Sequence, residues 1–213
     1  MDAQKMPYGE DGRRTMKIQN VYLFVFDSLS DWEAGYAIAG INNPQFQKTP
    51  GRYRVRTVGL GKESVLTTGG MRILPDMTLD DASPAEGALL ILPGGIAWDE
   101  KKNIEAVESA SAFLDAGAPV AAICGATAGL ARSGLLDKRR HTSNSREYLE
   151  STGYLGAAFY EDAPAVTDGN LITASGIAPV DFAFHIFRRL DLYSIPVLDA
   201  WYGLFKTGRL EYY

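Results

Sequence analysis

The chain has 213 residues, of which 46% are hydrophobic and 22% charged, and its formal net charge is −5. These values are ordinary for one soluble globular domain with a sizeable core, and they give no argument for binding nucleic acid or an anionic membrane surface. No apolar run is long enough for a transmembrane helix. The single cysteine, Cys124, excludes an intrachain disulfide and a thiol-rich zinc site, and it fits a reducing cytoplasm. We therefore expect no metal and no other cofactor.

The beginning of the chain divides into a polar stretch and a first buried strand. Residues 1–15 are polar and lack the apolar centre of a signal peptide, so we interpret them as a disordered extension. Residues 16–213 are expected to form a single α/β domain. An almost unbroken run of apolar and β-branched residues at 20–26 predicts a central parallel strand. A helix capped by Ser30 or Asp31 is predicted to follow it.

Strand and helix patterns then alternate along the chain. The predicted elements are a strand at 53–60, a hairpin within 64–75, a short turn at 77–81, a buried strand at 88–92, a helix within 103–116, a strand at 120–123 followed by a helix to about 132, a short helix at 146–150, a hairpin over 165–174 and a long helix from 178. The aromatic tail, 196–213, suits a dimer or lid contact, or the packing of a terminal helix. This alternation predicts a doubly wound sheet with its ligand crevice at the carboxyl ends of the strands.

The stretch 119–134, PVAAICGATAGLARSG, is the centre of the functional prediction. Cys124 directly follows the apolar run and precedes a helix of small residues, which is the arrangement of a nucleophile elbow. The free N–H groups of a helix N-terminus favour a thiolate, so the pattern predicts a reactive thiol with a lowered pKa. The alternative is a buried structural cysteine.

Four segments in the same order resemble the PfpI-like family: FDSLSDWEAG, LILPGG, AAICGATAGLARSGLLDKRRHTSN and TASGIAPVDFAFHIFRRL. This family belongs to the class I glutamine amidotransferase-like superfamily and includes intracellular proteases and amidases, the parkinsonism-associated deglycase and small-molecule hydratases. The resemblance covers about residues 16–192. It implies a flavodoxin-like three-layer sandwich, with a mostly parallel sheet, helices on both faces and a nucleophile elbow. It also implies a homodimer and a part in the stress response.

The resemblance implies roles for residues at matching positions. Cys124 would be the nucleophile, and Glu33 would be an acid whose raised pKa lets it donate a hydrogen bond to the thiolate. The backbone N–H groups of Gly94, Gly95 and Gly125 would stabilise an oxyanion. Further candidates for the substrate pocket are Asp31, Trp98, Asn144 and His141. For Trp98, core packing is an open alternative.

The sequence departs from the family at the histidine. Members with a Cys-His pair commonly carry the histidine twenty positions after the nucleophile, and here Asn144 occupies that position. His141 lies three residues earlier, and an odd offset in an extended segment points a side chain to the opposite face. We therefore predict that His141 is not the general base. Asn144 would orient substrate or water, but its amide cannot act as a base.

Three functions fit these observations. The first is a cysteine-dependent hydrolase, of the amidase or protease type or of the glyoxalase or deglycase type, or a lyase, acting on a small carbonyl or amide substrate. The second is a cysteine-based redox or stress sensor without turnover. The third is a dimeric binding protein with a vestigial site. We expect the partners to be a small-molecule substrate and a second copy of the chain, with no nucleic acid and no membrane.

Overall fold

The computed structural model describes residues 17–212, so the extension predicted at residues 1–15 lies outside the described residues. In chain order its elements are β1 (Gln19–Phe24), α1 (Asp31–Asn42), β2 (Tyr53–Gly59), β3 (Val65–Leu66), β4 (Arg72–Ile73), β5 (Met77–Thr78), β6 (Gly87–Leu92), α2 (Ile96–Asp99), α3 (Ile104–Asp115), β7 (Val120–Ile123), α4 (Gly125–Arg132), α5 (Arg146–Glu150), β8 (Ala165–Asp168), β9 (Leu171–Ala174), α6 (Pro179–Arg189) and α7 (Ile195–Thr207). No helix within this part of the chain is both long and apolar enough to span a bilayer.

Seven strands form one sheet in the order β5-β2-β1-β6-β7-β9-β8. All neighbouring pairs are parallel except β8 and β9, which form an antiparallel hairpin at one edge. Strands β3 and β4 pair separately as a second hairpin. The sheet is therefore mostly parallel, as the alternating sequence pattern predicts.

The central strands are covered on both faces. Successive side chains of a strand point to opposite faces, yet every residue of β7 and of the second half of β1 is buried. The surrounding helices form two contacting groups, with α1, α6 and α7 in one and α2, α3, α4 and α5 in the other. The fold is thus the expected flavodoxin-like sandwich, and its core is the sheet together with the apolar helix faces.

The structure differs from the sequence prediction at residues 77–78 and at α2, and it favours one of the alternatives for the aromatic tail. The segment predicted as a turn at 77–81 begins with the two-residue strand β5, which pairs with β2 at the sheet edge. The four-residue helix α2 was not predicted. The aromatic tail forms α7, in which Trp201 packs against Phe187 and Tyr36. Packing within the chain therefore accounts for this part of the tail.

Candidate functional site

Cys124 lies at the sharp turn between β7 and α4. Its backbone has φ 58° and ψ −126°, in the left-handed half of conformational space that non-glycine residues rarely adopt. Two glycines lie against the sulfur from different segments of the backbone. A Cβ atom added at Gly94 would lie 3.0 Å from Sγ, and one added at Gly176 would lie 2.8 Å from it. The thiol is half-buried in this niche. The structure thus has the predicted elbow geometry.

Glu33 brings a buried carboxyl group to the same niche from the first turn of α1. The residue is 1% exposed, and Oε2 accepts a hydrogen bond of 2.5 Å from the Gly94 N–H. Burial raises the pKa of Glu33 to about 7, although the Gly94 N–H and the Cys124 thiol act in the opposite direction. This agrees with the raised acid pKa that the sequence comparison with the family implied.

The expected lowering of the thiol pKa is wrong. Burial, and next to it the charge of the Glu33 carboxylate, raise the pKa of Cys124 to about 11. The Asn144 amide and the Gly125 N–H favour the thiolate, but they do not outweigh these two effects. Near neutral pH the Cys124 sulfur is therefore protonated. The carboxyl group of Glu33 beside it has a pKa of about 7, so it gains and loses its proton in this pH range.

Asn144 contacts the sulfur and His141 does not. The Asn144 side chain donates from Nδ2 to Cys124 Sγ at 3.4 Å, and its Oδ1 accepts from the Gly176 N–H at 2.9 Å. His141 is fully buried, with Nδ1 donating to the Arg139 carbonyl at 2.7 Å and Nε2 3.1 Å from the Tyr154 hydroxyl. Since both ring nitrogens are engaged, His141 cannot line the substrate pocket, and its candidacy is corrected.

The three glycines expected to stabilise an oxyanion differ in what their N–H groups do. The Gly94 N–H already donates to Glu33, so it is not available to a substrate, which corrects that assignment. Within residues 17–212 no hydrogen bond uses the Gly95 N–H. The Gly125 N–H, at the start of α4, is directed towards the Cys124 thiol. The oxyanion role of Gly95 and Gly125 therefore stays a prediction, whereas that of Gly94 does not.

Asp31 and Trp98 both make hydrogen bonds within the protein. The Asp31 carboxylate accepts from the Gly69 N–H at 2.6 Å and so ties the β3–β4 hairpin to the start of α1. Trp98 is 2% exposed, donates to the Pro93 carbonyl at 2.8 Å and packs beneath Gly125. The pocket assignment of Trp98 is corrected, because its side chain belongs to the core, whereas that of Asp31 stays a prediction.

Three residues near the thiol were missed by the sequence analysis. Gly176 contacts Sγ and Asn144, and it follows the carboxyl end of β9, a position that could have identified it. Trp32 donates from Nε1 to the Gly176 carbonyl at 3.4 Å. The pKa of Tyr148 is raised mainly by burial and by its 2.7 Å hydrogen bond to Asp99. The charge of Cys124 adds a smaller effect in the same direction, which places Tyr148 near the thiol. Trp32 lies within FDSLSDWEAG, one of the segments that carry the family resemblance, but it was predicted only as a packing position of the first helix. No sequence motif pointed to Tyr148.

Comparisons with known proteins agree with this architecture. The Bacillus subtilis protein named uncharacterized protease YoaZ is 44% identical over 201 residues, which are 93% of this chain and 96% of its own. The crystal structure of a thiJ/pfpI family protein from Bacillus anthracis matches with a TM-score of 0.86 at 45% identity, over 92% of this chain and 94% of that one. The deglycase PfpI of Pyrococcus furiosus is 33% identical over 108 residues, 49% of this chain and 63% of its own. Because the profile of the DJ-1/PfpI family also matches residues 19–189, the chain belongs to the DJ-1/PfpI family.

Proposed function

We propose that the protein is a cysteine-dependent hydrolase or lyase that acts on small carbonyl compounds. The observation that carries this proposal is that the buried Glu33 carboxyl group and the half-buried Cys124 thiol meet at Gly94, where Oε2 and Sγ lie 2.7 and 3.0 Å from one Cβ position. Burial raises the pKa of the Glu33 carboxyl group to about 7. A carboxylate whose pKa lies near the working pH is suited to act as a general base. Glu33 would take the thiol proton as Cys124 attacks, so no standing thiolate is required.

An α-oxoaldehyde is the substrate class that this pair suits best. Sγ would form a bond to the aldehyde carbon while the thiol proton passes to Glu33, and the oxyanion at Gly95 and Gly125 would then be protonated by Glu33 to give a hemithioacetal. Glu33 would next move the proton from the aldehyde carbon to the neighbouring carbon, which produces a thioester. Water then cleaves the carbon–sulfur bond, so that a 2-hydroxy acid leaves and the thiol is restored. One water is consumed overall.

Amide hydrolysis is less well supported by the side chains near the sulfur. Expulsion of an amine requires a proton donor, and an amide at Asn144 cannot replace the imidazole that relatives with a Cys-His pair commonly carry at this position. Glu33 alone would have to supply that proton. The names protease and deglycase, given to two relatives, still favour a hydrolytic class. We accordingly place aldehyde hydration or deglycation first and amidase activity second.

Turnover of methylglyoxal tests the proposal. We expect the wild-type protein to form the 2-hydroxy acid, Cys124→Ser to abolish its formation, and Glu33→Gln to reduce kcat at least about a hundredfold, the usual loss when a general base is removed. His141→Ala serves as the matched control for a titratable side chain outside the site. Formation of product at the wild-type rate by Cys124→Ser would contradict the assignment.

A redox sensor is the second candidate, and its support is the half-buried thiol beside a carboxyl group. Peroxide reacts with thiolates, so the raised pKa of Cys124 argues for slow oxidation. Intact mass after mild peroxide separates this function from turnover, because a sensor would gain one or two oxygen atoms within minutes.

We also propose that the protein is dimeric and cytoplasmic and that it acts on a small-molecule substrate.

A further inference from the structure

An exposed indole lies at the entrance to the thiol niche. Trp32 is 54% exposed although it is one of the largest apolar side chains of the protein, and it directly precedes Glu33. Its Nε1 donates to the Gly176 carbonyl, and a Cβ at Gly176 would lie 2.8 Å from Cys124 Sγ. The indole is therefore held one residue away from the reactive sulfur, with half of its surface open.

The surroundings of Trp32 extend this apolar surface. Ile177, which follows Gly176, is 94% exposed. One turn along α1 from Trp32, Tyr36 is held by edge-on contacts with Trp201 and Phe205, whose ring centroids lie 6.2 and 5.3 Å from it. A polar acid–base pair thus lies beside a rigid aromatic surface, an arrangement that suits a ligand with one reactive polar end and one apolar end.

We propose that Trp32 is a specificity-determining residue, whose indole binds an aryl or branched alkyl group attached to the carbonyl carbon of the substrate. The inference rests on the proposed function, since it names the substrate class of the same site. Apolar area removed from water on the indole would lower KM for aryl-substituted oxoaldehydes relative to methylglyoxal. The polar contacts at Cys124 would be the same for both substrates.

The hydrogen bond of Trp32 favours a substrate over a second copy of the chain as the occupant. A side chain buried by a partner subunit would need no contact with the residue that touches the sulfur, whereas a substrate wall must keep a fixed position relative to it. The Nε1 hydrogen bond to Gly176 fixes the indole in this way. Core packing is excluded by the exposed fraction of the side chain.

The test compares the alkylation of Cys124 by N-phenyliodoacetamide and by iodoacetamide, which requires no turnover. We expect the ratio of the two second-order rate constants to exceed that for free glutathione, and to fall about tenfold in Trp32→Ala. Trp32→Phe should restore most of the ratio. Ile104→Ala, which removes an exposed apolar side chain from the first turn of α3, is the matched control and should leave the ratio unchanged.

The outcomes separate this inference from the proposed function. If the alkylation ratio falls in Trp32→Ala while neither phenylglyoxal nor methylglyoxal is turned over, the aromatic wall is supported and the proposed function fails. If the ratio is the same in wild type and Trp32→Ala, with the fold intact by circular dichroism, the inference is overturned whatever the turnover. A lower oligomeric mass of Trp32→Ala by light scattering would also overturn it, because the indole would then contact a second copy.

Discussion

The Gly94 N–H donates to the Glu33 carboxylate across 2.5 Å, and this hydrogen bond sets the position of the acid at the thiol. In the sequence, Gly94 belongs to a strand-ending turn, and the family resemblance implied that its N–H binds a substrate oxyanion. In the structure the same N–H is used by the protein itself. Gly94 therefore acts by holding Glu33 in place, and its lack of a side chain leaves room for Cys124.

Gly94→Ala is expected to separate the acid from the thiol. Its Cβ would lie 2.6 Å from the Cys124 Cβ and 2.7 Å from Glu33 Oε2, so both side chains must move. We expect methylglyoxal turnover to fall at least about a hundredfold, the loss typical of a displaced general base. Gly35→Ala is the control, because no atom lies within 4 Å of its Cβ position and alanine is the better helix former. Equal activity of the two variants would refute this role of Gly94.

The contribution of Glu33 to the free energy of unfolding should fall as pH rises through the range in which its carboxyl group titrates. The pKa of Glu33 is about 7 in the folded state and has its ordinary value of 4.5 in the unfolded chain. As pH rises, the unfolded chain therefore loses this proton first, and the folded state loses stability between pH 4.5 and about pH 7. Converted at about 1.4 kcal/mol per pH unit, the loss for this one group is about 3 kcal/mol. Glu33→Gln removes it, and should raise the free energy of unfolding at pH 8 more than at pH 5. Urea denaturation at both pH values measures the difference, and an equal effect of the substitution at both would contradict the raised pKa.

The reaction of Cys124 with iodoacetamide should report a raised thiol pKa. We expect the midpoint of the rate against pH in the wild type to lie above the ordinary thiol value of about 8.5, because burial and the Glu33 carboxylate disfavour the thiolate. In Glu33→Gln the negative charge is absent, so the midpoint should move to lower pH. A wild-type midpoint below that of a model thiol would restore the lowered pKa expected from the helix N-terminus alone.

His141→Ala and Asn144→Ala are expected to have opposite consequences. Removal of the buried imidazole eliminates its contacts with Tyr154 and Tyr160, and should destabilise the fold by about 2–3 kcal/mol while turnover stays within a few-fold of wild type. Removal of the Asn144 amide takes a donor from Sγ, and should lower turnover and raise the thiol pKa with little loss of stability. Urea denaturation and methylglyoxal kinetics on both variants check the contrast. A loss of about a hundredfold in His141→Ala would instead mark His141 as a general base.

The homodimer implied by the family resemblance remains a prediction. Light scattering at micromolar concentration should give twice the monomer mass of 23.2 kDa. A mass equal to that of one chain would reject it.

The sequence predicted the scaffold and the central pair of the site for identifiable reasons. Buried parallel strands appear as continuous apolar runs, so residues 88–92 and 120–123 were recognisable, and the motif around Cys124 located the elbow. The sign of the thiol pKa was not predictable, because the helix N-terminus is visible in the sequence whereas burial and the facing Glu33 arise from tertiary structure. The burial of Trp98 was not predictable either, because a tryptophan that follows a glycine turn can line a pocket or pack in the core.

At position 124 the backbone conformation favours glycine, whereas chemistry at the elbow requires a cysteine. A side chain at φ 58° and ψ −126° costs about 1–3 kcal/mol, which glycine would not incur. Glycine at this turn would relieve the backbone strain, but it would also remove the half-buried thiol. The substitution that relaxes the turn is therefore the same one that would end any reaction at the sulfur.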